Sequence, residues 1–138
     1  MKHCLVVDDS SVIRKVARRI LEGSDLRISE AENGQTAIEL CRQAMPDGIL
    51  LDWSMPVMDG YDFLVELRSL PGGDAPKVVF LTTENDVAGL ARAMRAGADE
   101  YAMKPFDREA ILAKFAHVGL LSSPNPNGAA AKTPPSAA

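Results

Sequence analysis

Four short apolar runs in this chain each stop at a polar side chain, and that pattern limits the folds open to it. Cys4-Leu5-Val6-Val7 stops at Asp8-Asp9, and Gly48-Ile49-Leu50-Leu51 at Asp52. Val78-Val79-Phe80-Leu81 stops at Thr82, and Tyr101-Ala102-Met103 at Lys104. Runs that are apolar at every position suit strands covered on both faces, as in parallel sheets. The spacing predicts strands over Lys2–Asp8, Leu26–Ala31, Gly48–Asp52, Lys77–Thr82 and Glu100–Met103. Between them the apolar period lengthens to that of helices.

Ser11–Glu22 carries Val12, Val16 and Ile20 on one stripe with Ile13, Ala17 and Leu21 beside it. Arg14, Lys15, Arg18 and Arg19 fall on the other side, the pattern of a solvated helix face or of a dock for an acidic partner. Gly34 leads into a helix over Gln35–Ala44, and Gly60 into one over Tyr61–Leu70 that Pro71-Gly72-Gly73 closes. Asp86 is placed to cap Val87–Ala96, with Gly97 just past its end, and Asp107 to cap Arg108–His117. Five βα units with short connections predict an α/β fold: a doubly wound, five-stranded parallel sheet in a three-layer sandwich.

One domain accommodates this pattern, over residues 1–121. Residues 122–138 contain four prolines and no aromatic or β-branched aliphatic side chain, so a disordered Pro/Ala-rich tail is expected there. The formal charge of −4 argues against nucleic acid as a partner, which needs a basic face. No apolar run reaches the roughly 20 residues that span a membrane, and no signal peptide opens the chain. Cys4 and Cys41 read as buried small hydrophobes, and a cytoplasmic location is expected.

Parallel strands would deliver Asp8, Asp9, Asp52, Thr82 and Lys104 to one sheet edge, where open α/β sheets bind ligands. Three neighbouring carboxylates repel one another unless cations hold them. One lysine and one divalent metal would bring their formal charge to zero, and the site would then suit a phosphate.

The pieces Val7-Asp8-Asp9-Ser10, Leu51-Asp52-Trp53-Ser54-Met55-Pro56, Met58-Asp59-Gly60, Leu81-Thr82-Thr83-Glu84, Ala96-Gly97-Ala98 and Met103-Lys104-Pro105 occur in the order and spacing of a known family. The chain resembles a response-regulator receiver domain from about Lys2 to Leu121, and is most similar to the stand-alone, CheY-like members, because no output domain follows. The resemblance implies the flavodoxin-like (βα)5 topology and a chemotaxis-like role in two-component signalling. It makes Asp52 the phosphoacceptor, with Thr82 and Lys104 contacting the phosphoryl oxygens. It makes Asp8, Asp9, Asp52 and the Ser54 carbonyl the holders of Mg²⁺, and Thr82 with Tyr101 the switch. Implied partners are a histidine kinase or histidine phosphotransfer protein, and a downstream protein target on the face near Val87–Ala96 and Tyr101. The chain would be a monomer or weak dimer, and a signalling phosphoacceptor that promotes its own phosphorylation and dephosphorylation rather than an enzyme. A phosphorelay shuttle and a phosphate sink remain alternatives within the class.

Taken singly these residues have plainer readings. Asp8 alone suits a helix cap, Thr82 a strand residue, Lys104 a surface charge, Tyr101 half-buried packing, and Asp59-Gly60 a turn. Convergence at one edge is what favours the site. Two other classes use related parts. An aspartyl-phosphate phosphatase would need a second acid two residues past Asp52, where Ser54 stands. A flavodoxin-like cofactor binder would need a phosphate loop less acidic than Asp8-Asp9-Ser10-Ser11. Thr83 departs from the smaller residue common there in receivers and would narrow access to the phosphoryl group. Ser54 and Glu84 would flank the path of an attacking water. Gly89, inside the fourth helix, would weaken it by roughly 0.5–1 kcal/mol relative to alanine.

Overall fold

The computed structural model describes residues 2–55, 57–83 and 87–121, without the side chains of 87 and 88. The elements alternate strictly: β1 (Lys2–Val7), α1 (Ser11–Glu22), β2 (Leu26–Ala31), α2 (Gly34–Gln43), β3 (Gly48–Asp52), α3 (Gly60–Ser69), β4 (Lys77–Thr82), α4 (Val87–Ala96), β5 (Glu100–Met103) and α5 (Arg108–His117). All strands pair in parallel, in the order β2-β1-β3-β4-β5. The chain therefore winds one way from β1 to β2 and the other way from β3 onward. The crevice for a ligand opens between β1 and β3, where the direction reverses.

The doubly wound five-stranded fold is as expected, with three small corrections. β1 ends at Val7, one residue early, and α2 and α3 each begin and end one residue early. The reason is capping. The Asn33 side chain accepts from the Thr36 N–H and that of Asp59 from the Asp62 N–H, so Gly34 and Gly60 are already helical. Asp59 is thus a helix cap rather than a turn residue. Asp107 caps α5 as expected. The expected cap Asp86, the flanking Glu84 and the tail 122–138 lie outside the described residues.

Side-chain alternation along the strands divides the core in two. Leu5, Val7, Ile49, Leu51, Val78 and Phe80 face α2, α3 and α4, where Ile38, Phe63, Leu64, Leu67 and Ala93 meet them. Cys4, Val6, Leu50, Val79, Leu81 and Ala102 face α1 and α5, against Ala17, Leu21, Ile111 and Phe115. Both cysteines are free and buried, and burial pushes their thiols up to about 12 for Cys4 and about 11 for Cys41. Neither is a reactive thiolate near neutral pH.

On α1 the core takes the end of one apolar stripe and most of the other. Ala17, Ile20 and Leu21 are buried, whereas Val12 is 67% and Val16 41% exposed. Arg14 and Arg18 turn toward β2 and pair with Glu30, so they are not part of a solvated stripe. Among the described residues no helix is long and apolar enough to cross a membrane.

Candidate functional site

Strand register builds the site. Val7 lies opposite Leu51, so Asp8 and Asp52 leave adjacent strands side by side. Asp52 lies opposite Leu81, one residue before Thr82, and Thr82 lies opposite Met103, one residue before Lys104. The Lys104 backbone N–H donates to the Thr82 carbonyl at 2.9 Å, which extends the ladder one step past β5. The Lys104–Pro105 peptide is cis.

Lys104 Nζ donates to Asp8 Oδ2 and to Asp52 Oδ1, both at 3.0 Å. Asp8, Asp52 and Thr82 are buried, and Asp9 is exposed. One carboxylate oxygen from each of Asp8, Asp9 and Asp52 lies within 4.8 Å of the others. Burial pushes the Asp52 carboxyl up from 3.8 to about 6. Hydrogen bonding and charge from Lys104 oppose that rise, and the charges of Asp8 and Asp9 add to it. Burial alone would lower the Lys104 ammonium, but its contacts with Asp8 and Asp52 outweigh burial and hold it above its ordinary value. Three acids and one lysine leave a formal charge of −2. The donor set is all oxygen and partly open to water, which fits a hard divalent cation such as Mg²⁺ that retains waters.

Close packing around Asp52 depends on Gly60. A Cβ there would meet the Trp53 ring at 2.6 Å and the Asp52 carbonyl oxygen at 3.0 Å. The Gly60 N–H donates to the Trp53 carbonyl at 3.0 Å, which draws the start of α3 under the site. In the connection to α3, Val57 has a positive φ of 70° and is 83% exposed. A β-branched side chain there is strained. Trp53 packs on Phe80 with ring centroids 4.8 Å apart and on the edge of Tyr61 at 6.4 Å. Phe80 reaches Tyr101 at 6.0 Å, and Arg92 of α4 lies 3.9 Å over the Tyr61 ring.

The geometry thus brings Asp8, Asp9, Asp52 and Lys104 together and sets Thr82 beside them on the next strand. Ser54 lies exposed just past Asp52. Tyr101 lies farther out on β5, half-buried, with Lys114 Nζ 5.1 Å over its ring. The sequence reading did not find the role of Glu30, nor that Arg14 donates to the Asp8 carbonyl. A charged residue in the otherwise alternating run Leu26–Ala31 was the one available signal.

The family model of the response regulator receiver domain matches residues 4–116. The chain belongs to the response-regulator receiver family. As a receiver domain it is 33% identical to the chemotaxis protein CheY of Halobacterium salinarum over 111 residues, 80% of this chain and 91% of that protein. It is 37% identical to the response regulator MprA of Mycolicibacterium vanbaalenii over 111 residues, 80% of this chain but 47% of MprA. It therefore spans about half the length of that relative and nearly all of the other. Among solved structures, Vibrio cholerae chemotaxis protein CheY4 superposes with a TM-score of 0.82 at 30% identity, covering 86% of this chain and 98% of that one. The receiver domain of the sensor histidine kinase PA1611 of Pseudomonas aeruginosa, solved with a magnesium ion coordinated in its active site cleft, matches with a TM-score of 0.77 at 26% identity, over 84% of this chain and 95% of that one.

Proposed function

We propose that this receiver domain accepts a phosphoryl group on Asp52 from the phosphohistidine of a kinase or phosphotransfer partner, with Mg²⁺, and thereby switches a protein-binding face. The observation that carries this reading is the shared contact of Lys104 with Asp8 and Asp52 inside a cluster of three acids. In the transfer, an Asp52 carboxylate oxygen forms a bond to phosphorus as the phosphorus–nitrogen bond of phosphohistidine breaks. The electron pair of that bond leaves with the imidazole. Burial keeps Asp52 a more basic, less solvated oxygen nucleophile than a surface aspartate. Asp8, Asp9 and Asp52, with the Ser54 carbonyl, would hold Mg²⁺, which supplies charge neutralisation for the phosphoryl oxygens. Lys104 gives a point charge that can pass from carboxylate to phosphoryl oxygen without moving far. Thr82, at the end of the neighbouring strand, would donate its hydroxyl to another.

The PA1611 receiver, which holds a magnesium ion in its active site cleft, supports magnesium as the metal. The exposed valines of α1, flanked by Lys15 and Arg19, offer an apolar and cationic face to an acidic phosphodonor beside the site. The output face is α4, β5 and α5. Packed rings from Trp53 through Phe80 to Tyr101, and through Tyr61 to Arg92, supply a physical route to it from the residue next to Asp52. Two buried, unpaired cysteines suit a reducing compartment and so a cytoplasmic location.

Incubation with Mg²⁺ and acetyl phosphate tests the chemistry. Intact-mass spectra should show one added phosphoryl group in wild type, none in Asp52→Asn and none after chelation of the metal. Equal labelling of wild type and Asp52→Asn would overturn the assignment.

A further inference from the structure

Asp8 has every polar group engaged. Its N–H donates to the Ala31 carbonyl at 3.1 Å, Oδ1 accepts from the Ser10 N–H at 2.9 Å, and Oδ2 accepts from Lys104 at 3.0 Å. Its carbonyl accepts from Arg14 Nη1 at 2.6 Å. Three of these partners are two backbone groups and Lys104. The fourth is a long side chain from α1, and it is itself tethered. Glu30 Oε1 accepts from Arg14 Nε and Oε2 from Arg18 Nε, each at 3.0 Å. One carboxylate on β2 thus holds two arginines a helical turn apart, Arg18 pairing with Glu22 as well, and each arginine also reaches a main-chain carbonyl. Arg18 takes that of Ile28, away from the acids. Arg14 takes that of Asp8.

The Asp8 carbonyl and the Asp9 N–H share one peptide plane. Asp9 is exposed, and among the described residues its carboxylate makes no hydrogen bond or ion pair. Only its backbone fixes the direction in which it leaves the chain. We propose that Arg14, braced by Glu30, is a positioning residue that orients this peptide and so aims Asp9 at the cation. The inference rests on the metal reading above and deepens it. Partners behind the ligands commonly change metal affinity by about tenfold or more when removed.

The sign of the effect separates positioning from charge. Arg14 is a cation near three acids, so as a charge alone it repels a metal, and its removal would tighten binding. As a positioner its removal loosens binding. Trp53 adjoins Asp52, so its fluorescence gives a Mg²⁺ titration independent of phosphorylation. Wild type should give a saturable change. Arg14→Met should weaken Mg²⁺ about tenfold. Arg14→Lys keeps the charge but lacks the fork that spans Glu30 and the Asp8 carbonyl, and should also weaken it. Arg18→Met loses its contacts with Glu30, Glu22 and the Ile28 carbonyl and a charge, but leaves the Asp8 carbonyl held, and should stay within about twofold of wild type. Thermal melts of the metal-free variants report their folding, so Arg14→Lys carries the test if Arg14→Met does not fold. Unchanged or tighter Mg²⁺ binding in the folded Arg14 variants, or equal weakening in Arg18→Met, would overturn the role of Arg14. A wild type with no saturable response to Mg²⁺ would remove the metal reading and this inference with it.

Discussion

Asp52 is a group that the fold holds against its own preference. Its carboxyl titrates at about 6 rather than 3.8, chiefly through burial, with Asp8, Asp9 and Lys104 as the charges facing it. A carboxyl raised in the folded state binds more protons folded than unfolded between those values, so stability falls as pH rises through that window. The displacement corresponds to roughly 3 kcal/mol above pH 6. In the presence of EDTA, Asp52→Asn should therefore be more stable than wild type at pH 7.5, by up to roughly 3 kcal/mol. The gain should vanish below about pH 4, and urea melts across pH would check it. A gain independent of pH would mean that Asp52 is not the strained group. Placement of Asp8, Asp52, Thr82 and Lys104 was legible in the sequence because each directly follows, or ends, an apolar strand. The Arg14–Glu30 brace was not, because a helix face and a strand sixteen residues apart meet only in three dimensions. Asp59 was misread for a local reason: Asp-Gly serves a turn and a helix cap equally well, and the structure shows the cap.

At the scale of elements, α1 shows what periodicity alone leaves open. Two apolar stripes lay side by side, and the helix buries Ala17 and Leu21 of one but only Ile20 of the other. Glu30 on β2 decides the matter by drawing Arg14 and Arg18 inward, which rolls Val12 and Val16 out to solvent. If that face receives a protein phosphodonor, the double variant Val12→Ser, Val16→Ser should lower the rate of transfer from a kinase several-fold. It should leave labelling by acetyl phosphate unchanged, since the small donor needs no docking surface. Equal effects on both donors would point to damage at the site instead. At the opposite end of the sheet, Arg68 of α3 joins two connections, α3–β4 and α4–β5. It donates to the carbonyls of Gly73 and Pro76 at 2.8 Å and of Gly97 at 2.5 and 3.1 Å, and it pairs with Asp99 at 3.2 Å. Gly97 answers it with a positive φ of 115° and no Cβ, which would otherwise meet the Arg68 side chain at 2.8 Å. Arg68→Ala would strand several half-buried acceptors and should cost about 3 kcal/mol in chemical denaturation. Arg68→Lys should recover little of it, because one ammonium cannot serve carbonyls on both sides of the fork.

The whole molecule is one sheet with an apolar layer on each face, and its limits follow from where those layers end. Topology was readable because buried parallel strands announce themselves as unbroken apolar runs, and right-handed crossovers leave few ways to connect them. The C-terminal boundary is set by packing. Beyond α5 the chain turns through Gly119, at a positive φ of 87°, and Leu120 is buried against Gly48, the first residue of β3. A Cβ at Gly48 would collide with the Leu120 side chain, so that glycine leaves the hollow which Leu120 fills. Past Leu121 the composition turns to proline, alanine and small polar residues, with no large apolar side chain to add to either layer. Residues 1–121 are therefore expected to fold as the complete domain. Removing residues 122–138 should leave the melting temperature within about 2 °C of the full chain. Removing the chain from Val118 onward should lower it by about 10 °C, since a buried leucine of this kind contributes roughly 2–5 kcal/mol. Calorimetry of the two truncations decides between a tail that adds nothing and one that packs on the sheet. A large drop on removing 122–138 alone would extend the core beyond Leu121 and move the domain boundary with it.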